Sequence, residues 1–132
     1  MWDVYKASRP YMEAVAAEFD LTPMQGYALK LLTTDRPIAM SELADTLACD
    51  ASNVTPIIDR LEERGLVDRR SAEHDRRVKV LVVTPRGARL RERLIERMKE
   101  PPPAIAGLSR ADQRELRDIL HRALGTVDAT ER

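Results

Sequence analysis

The sequence is poor in rings, thiols and imidazoles, and each shortage removes a class of function. Aromatic residues are only 4% of the chain, and Trp2, Tyr5 and Tyr11 lie at its start. Single-stranded nucleic acid is usually held on aromatic stacking platforms, so it is a poor candidate partner. The one cysteine, Cys49, cannot close a disulfide within the chain, which fits a reducing compartment. His74 and His121 are far apart and do not match zinc-ligand spacing. No GxSxG, Walker A, HExxH or GxGxxG run occurs, so no catalytic chemistry, metal or other cofactor is expected. No apolar run reaches the roughly 18 residues of a membrane span. The first residues include Asp3 and lack the apolar core of a secretory signal. The expectation is a cytoplasmic protein that is not an enzyme.

What is present is charge, and it is unevenly placed. The formal net charge is zero, yet residues 1–59 hold 4 Lys/Arg against 9 Asp/Glu, while residues 60–93 hold 11 against 6. A basic stretch on a neutral chain suits either a phosphate partner or a solvated charged face. Apolar residues make up 43%, enough for one core in a chain of this length.

Hydrophobic spacing divides the chain into short elements. Val4, Tyr11, Met12, Val15 and Phe19 recur at helical spacing over 2–19, with Pro10 expected to kink or restart that helix. Thr22-Pro23-Met24-Gln25 has the form of a capping box with proline in the first turn. Ile38-Ala39-Met40 reads as extended, and Ser41 as the cap of a two-turn helix with Leu43, Ala44 and Leu47 inward. After a break at Cys49-Asp50-Ala51, Val54, Ile57, Ile58 and Leu61 give a helix over about 52–64, ended by Gly65. The period then becomes two. Residues 66–70 and a second strand carrying Val78, Val80 and Val82 on one face, with Lys79 on the other, predict a hairpin. Thr84-Pro85 starts a further helix to about Glu100, where three prolines stop it. Ser109 to Asp112 opens the last helix, which is expected to bury Leu116, Ile119, Leu120, Ala123 and Leu124.

Two helices separated by a short break over 41–64 make a helix-turn-helix. The second of them keeps Ser52, Asn53, Thr55, Pro56, Asp59 and Arg60 on its polar face. Small polar side chains at a helix N-terminus allow close approach to a major groove, and the terminal amides favour a phosphate. The hairpin that follows carries Arg69, Arg70, Arg76, Arg77 and Lys79. Arginines on such a hairpin are drawn to the negative potential of a minor groove. Asp75 is placed to hold one of them by a charge-assisted bond. The pattern favours duplex DNA.

These residues resemble the MarR family of winged-helix regulators. The resemblance rests on Ser41-Glu42-Leu43-Ala44, Asn53-Val54-Thr55, the run Ile58 to Val67, Asp75-Arg76-Arg77, and Leu81 to Gly87, in the family's order, and it covers nearly the whole chain. It implies an α+β, mainly helical fold: one domain over 1–132, with a winged helix-turn-helix at about 22–84 and dimerisation helices at about 2–20 and 85–126. It implies a homodimer that represses or activates at a pseudo-palindromic operator, with repression the expectation, and a small-molecule effector. The residues expected at the DNA are Ser41, Ser52, Asn53, Thr55, Pro56, Arg60, Arg70, Asp75, Arg76, Arg77 and Lys79, of which the resemblance places Ser52, Asn53, Thr55 and Arg60 on the recognition helix. In the family the aspartate two before the wing arginine braces it, here Asp75 and Arg77. Two features depart from the family. Pro56 stands where many members carry a basic or long polar residue, and the first helix is short, so part of a dimerisation arm is expected to be missing.

Val4, Tyr11, Leu94, Met98, Leu116, Leu120 and Leu124 exceed what one small core needs and suit a shared interface or an intrachain core. Tyr11, Met12, Tyr27 and Met40 suit plain core better than an effector pocket, so no effector residue is assigned. Two other readings stay open: a winged helix used for protein interaction without DNA, and a thiol-based redox regulator using Cys49.

Overall fold

Helix caps set most of the element boundaries. The computed structural model describes residues 2–130, in the order α1 (Trp2–Ala17), α2 (Pro23–Leu31), β1 (Ile38–Ala39), α3 (Met40–Thr46), α4 (Ala51–Glu63), β2 (Val67–Ser71), β3 (Lys79–Val83), α5 (Pro85–Met98), α6 (Pro103–Ala106) and α7 (Arg110–Thr130). The fold is mainly helical with one small antiparallel sheet of order β1-β3-β2. Two compact units are distinguished: residues 12–100, and residues 1–11 with 101–132.

The unit over 12–100 holds the core. Thr22 caps α2 through a complete capping box: its hydroxyl accepts the Gln25 amide at 3.2 Å, and Gln25 Oε1 accepts the Thr22 amide at 3.0 Å. Thr84 caps α5, accepting the Gly87 amide at 3.0 Å, while its own hydroxyl donates to the Gly65 carbonyl at 2.7 Å. Leu29, Leu32, Leu43, Val54, Ile58, Leu61, Leu66, Val67 and Leu81 are each less than 2% exposed. At about 1.5–3 kcal/mol per buried aliphatic side chain, this cluster is the main force holding α2, α3, α4 and the sheet together.

Several boundaries differ from the sequence reading. Proline at position 10 removes one amide from the ladder without breaking it, so α1 runs unbroken to Ala17. It ends where Asp20 enters the left-handed region (φ 54°) and the Leu21 amide turns back to the Ala16 carbonyl. Ser41 is not a cap: β1 passes straight into α3, and extended Ala39 takes the cap position with no side-chain bond. Helix α4 starts one residue early, at Ala51, behind Asp50. Val80 and Val82 share the face expected of them, but the buried face of β3 is the opposite one. Leu81 and Val83 are its buried residues, Val80 and Val82 are half-buried, and Lys79 is exposed at the end of the strand. Cross-strand pairing fixes this, because Val83 stands opposite Val67 and Leu81 opposite both Arg69 and Ile38. Leu94 belongs to the core at 2% exposed and is not available to an interface.

In the other unit, α6 is a single turn between the proline run and α7, not foreseen from the sequence. The Ser109 hydroxyl accepts the Asp112 amide at 3.1 Å, the start expected for α7. Its apolar residues are not buried as expected. Ile119 and Leu120 are each 44% exposed, Leu124 is 64% exposed, Ala123 is exposed and Leu116 is half-buried.

Candidate nucleic-acid interface

Helix α4 is amphipathic in the strict sense that one stripe is dry. Val54, Ile58 and Leu61 are fully buried, whereas Ser52, Asn53, Thr55, Pro56 and Arg60 are exposed. At 100° per residue Ser52 and Pro56 lie at the centre of the outer face. Asn53 and Arg60 flank it on one side, and Thr55, Asp59 and Glu62 on the other. The N-terminus is not closed by a side chain: Asp50 is extended (φ −66°, ψ 150°) and makes no side-chain cap bond. Its carbonyl accepts the amides of Asn53 and Val54 at 2.8 and 3.2 Å. With those two amides engaged and no side-chain cap, the Ser52 amide is a first-turn donor left for an outside acceptor.

Pro56 does not interrupt the helix, which continues to Glu63. It does remove the amide that would pair with the Ser52 carbonyl. That leaves an acceptor beside the Ser52 hydroxyl on the outer face. Ser41 is exposed in the first turn of α3. Arg60 pairs with Glu63 at 3.1 Å, so part of its charge is offset within the helix.

The basic hairpin divides into one arginine used by the fold and others turned to solvent. Arg69 is only 24% exposed and bridges β2 to the flank of α4. Its guanidinium pairs with Asp59 and with Glu62, the latter at 2.5 Å, and reaches the Thr55 carbonyl. The Arg69 amide also donates to Glu62 Oε1 at 3.3 Å. Burial disfavours the Arg69 charge, but the hydrogen bonds and charges of Asp59 and Glu62 outweigh it and hold the guanidinium above its ordinary value. Arg69 thus sets the angle between the helix and the hairpin and is not a free cation, which corrects its place in the basic cluster.

Replacing Arg69 by alanine leaves Asp59 and Glu62 facing each other without a counterion. The pairs are partly solvated, which discounts the cost to roughly 1–2 kcal/mol. Urea denaturation should show that loss. Lysine at this position should recover only part of it, because its single nitrogen cannot reproduce the two nitrogens that the guanidinium sets against the two carboxylates. An unchanged midpoint for the alanine variant would show that the bridge does not orient the hairpin.

Beyond β2 the loop is a defined turn. The Ala72 amide donates to the Val78 carbonyl at 2.9 Å and the Val78 amide to the Asp75 carbonyl at 3.1 Å. Asp75 Oδ1 accepts the backbone amide of Arg77 at 2.9 Å. The brace between these two residues therefore acts on the main chain and not on the guanidinium. Arg76 and Arg77 are exposed, and among the described residues no carboxylate pairs with either. Lys79 donates to Ser71 Oγ across the hairpin at 3.2 Å, and Arg70 is held loosely by Asp68 at 3.4 Å.

The smaller signals resolve plainly. Cys49 is half-buried and its thiol donates to the Leu47 carbonyl at 3.3 Å. Met12 and Tyr27 are not core as expected; they are 40% and 43% exposed and line a small cavity of about 70 Å³ with Gly26 and Met98. Tyr11 and Met40 are half-buried. Among the described residues no helix is long and apolar enough to cross a membrane, and no His/Cys/Asp/Glu group could hold a metal.

Helix, turn and helix with an appended two-stranded wing define the winged helix-turn-helix class. The profile of the MarR family matches residues 21–79. It is 29% identical over 113 residues to the organic hydroperoxide resistance transcriptional regulator of Bacillus subtilis (strain 168), covering 83% of this chain and 74% of that one. It is 25% identical over 126 residues to the HTH-type transcriptional regulator MgrA of Staphylococcus aureus, covering 96% and 85%. Its fold superposes on wild-type MarR from E. coli in the apo form with a TM-score of 0.83 at 22% identity, over 92% of this chain and 90% of that one.

Proposed function

We propose that this chain is a cytoplasmic transcriptional regulator, a repressor, which binds double-stranded DNA sequence-specifically as a homodimer on a pseudo-palindromic operator and is released by a small molecule or another signal. The observation that carries this reading is the pairing of an uncapped α4 N-terminus, bearing Ser52 and Asn53, with a wing whose Arg76 and Arg77 are left unsatisfied by the fold. In this reading α4 enters the major groove, and the wing arginines meet the adjacent minor groove and phosphates. Ser41, Thr55, Arg60, Arg70 and Lys79 contribute at the margins, and Asp75 shapes the wing turn. The comparisons support it, since the curated relatives are named as transcriptional regulators.

The homodimer is supported by the apolar face of α7. Leu116, Leu120 and Leu124 recur at four-residue spacing and, with Ile105, line a surface groove of about 290 Å³. Exposure of that many aliphatic groups on one helix is characteristic of an interaction surface.

Enrichment from a random duplex pool tests both parts. The expected product is an inverted repeat whose half-sites lie about one helical turn apart, roughly 10 bp. Affinity for it should fall linearly with salt in log–log form. Failure to enrich any duplex, or a flat salt response, would leave the winged-helix interaction module as the better reading. A single half-site would remove the dimer.

A further inference from the structure

We propose that the cleft between the C-terminal end of α4 and the first turns of α5 is a second binding site, which takes a small molecule carrying two or more negative charges. The cleft has a volume of about 310 Å³ and is lined by Arg64, Leu66, Arg86, Arg89, Leu90 and Arg93. Four arginines and no acidic residue line it. The sequence explains the concentration: Arg86, Arg89 and Arg93 recur at i, i+3 and i+7 on α5, which places them on one side of the helix.

The fold treats the arginines of α5 in two ways. Those outside the cleft are satisfied within the chain. Arg91 donates to the Lys30 carbonyl at 3.0 Å, and Arg97 pairs with Glu18 at 3.0 Å and Glu100 at 2.9 Å. Those inside it are not: among the described residues no carboxylate pairs with Arg86, Arg89 or Arg93. Glu62 and Glu63 on α4 are engaged by Arg69 and Arg60. The cations that form the wall are partly fixed in place. Arg64 donates to the carbonyls of Asp20 and Phe19 at 2.7 and 3.0 Å, and the Arg93 guanidinium lies 5.6 Å from the centre of the Phe19 ring. Like charges gathered at fixed positions repel one another, and an anion between them relieves that repulsion while gaining charge-assisted hydrogen bonds.

A small molecule fits this cleft better than a second stretch of DNA. The site is concave and falls in the size range of ligand pockets, roughly 300–1,000 Å³. At a rise of about 1.5 Å per residue it also lies about 18 Å along α4 from Ser52, behind the end offered to the duplex. Leu66 and Leu90 add an apolar wall, so a phosphate ester or polycarboxylate with a short carbon body is the class indicated. The assignment does not depend on whether the chain binds DNA.

Calorimetric titration of the full chain at physiological ionic strength (about 0.15 M) decides it, with inorganic pyrophosphate in one arm and tricarballylate in the other. Saturable binding of either, at one site per protomer, is expected, and the arm that binds names the ligand class. The R86Q/R89Q variant should weaken it by roughly tenfold or more. The wing variant R76Q/R77Q should bind the same anion unchanged. Both cleft side chains are exposed, so folding should survive; should the double variant unfold, R86Q alone gives the same reading with a smaller factor. Absence of saturation in both arms overturns the site. So does undiminished binding by the folded cleft variant, or equal weakening by the wing variant, which would mark a diffuse counterion effect.

Discussion

Gly87→Ala should lower the melting temperature by roughly 10 °C, although it places a better helix former inside α5. A methyl group at this position overlaps the Leu66 carbonyl oxygen and approaches the Leu66 carbonyl carbon and Val83 Cγ2 to 2.8 Å each. The carbonyl has little freedom to retreat, because it accepts the Thr84 amide at 3.0 Å and belongs to a leucine that is 1% exposed. Val83 is itself buried in β3. Removing glycine from a helix is worth about 1 kcal/mol in the variant's favour. Overpacking against main chain costs about 3 kcal/mol or more. The difference, about 2–3 kcal/mol, gives the stated fall for a chain of this size. Thermal unfolding followed by circular dichroism checks it. The same substitution at Gly65 provides the contrast: an added methyl meets nothing within 4 Å there, but φ is +66°, so only the backbone penalty of about 1 kcal/mol applies. If the two variants melt together near the parent, the close approach of α5 to the α4–β2 junction is wrong.

That junction also shows what the sequence could and could not disclose. The starts of α2 and α5 were legible because a capping residue and its partner lie three positions apart, and local chemistry alone decides such a bond. The α4 stripe of Val54, Ile58 and Leu61 was legible for the same reason: one helix period repeats within a single element. Strand parity was not. Val78, Val80 and Val82 alternate as cleanly as Leu81 and Val83, and only pairing with Val67 on β2 and Ile38 on β1 chooses between them. The role of Arg69 was hidden in the same way, since Asp59 and Glu62 lie ten and seven residues earlier and meet it only when β2 folds back along α4. Asp75 does meet Arg77, but through the backbone amide and not through the charge-assisted side-chain bond that the sequence suggested. The arginines of the α5 cleft do have a visible signal in their i, i+3, i+7 spacing. It carried no meaning until the structure placed Arg64 among them.

Charge removal at the wing should have the opposite signature from Gly87→Ala: a large loss of DNA affinity with almost no loss of stability. Arg76 and Arg77 are exposed and contribute no described ion pair to the fold, so truncating both to alanine should change stability by no more than about 0.5 kcal/mol. The turn survives, because Asp75 holds the position 77 amide and the Val78 amide holds the Asp75 carbonyl, and neither bond uses the removed atoms. In the complex each arginine is expected to supply about 1–2 kcal/mol, from minor-groove or phosphate contact. Loss of both should weaken operator binding by roughly 30- to 1,000-fold for each protomer that engages the duplex. If they act on phosphates, the slope of log affinity against log salt should shrink by about 2 per protomer. If they read the minor groove without neutralising phosphate, affinity falls and the slope is kept. Fluorescence anisotropy on the enriched duplex across a salt series separates these outcomes. An affinity within twofold of the parent would mean that the wing does not grip the duplex, and that α4 alone carries recognition.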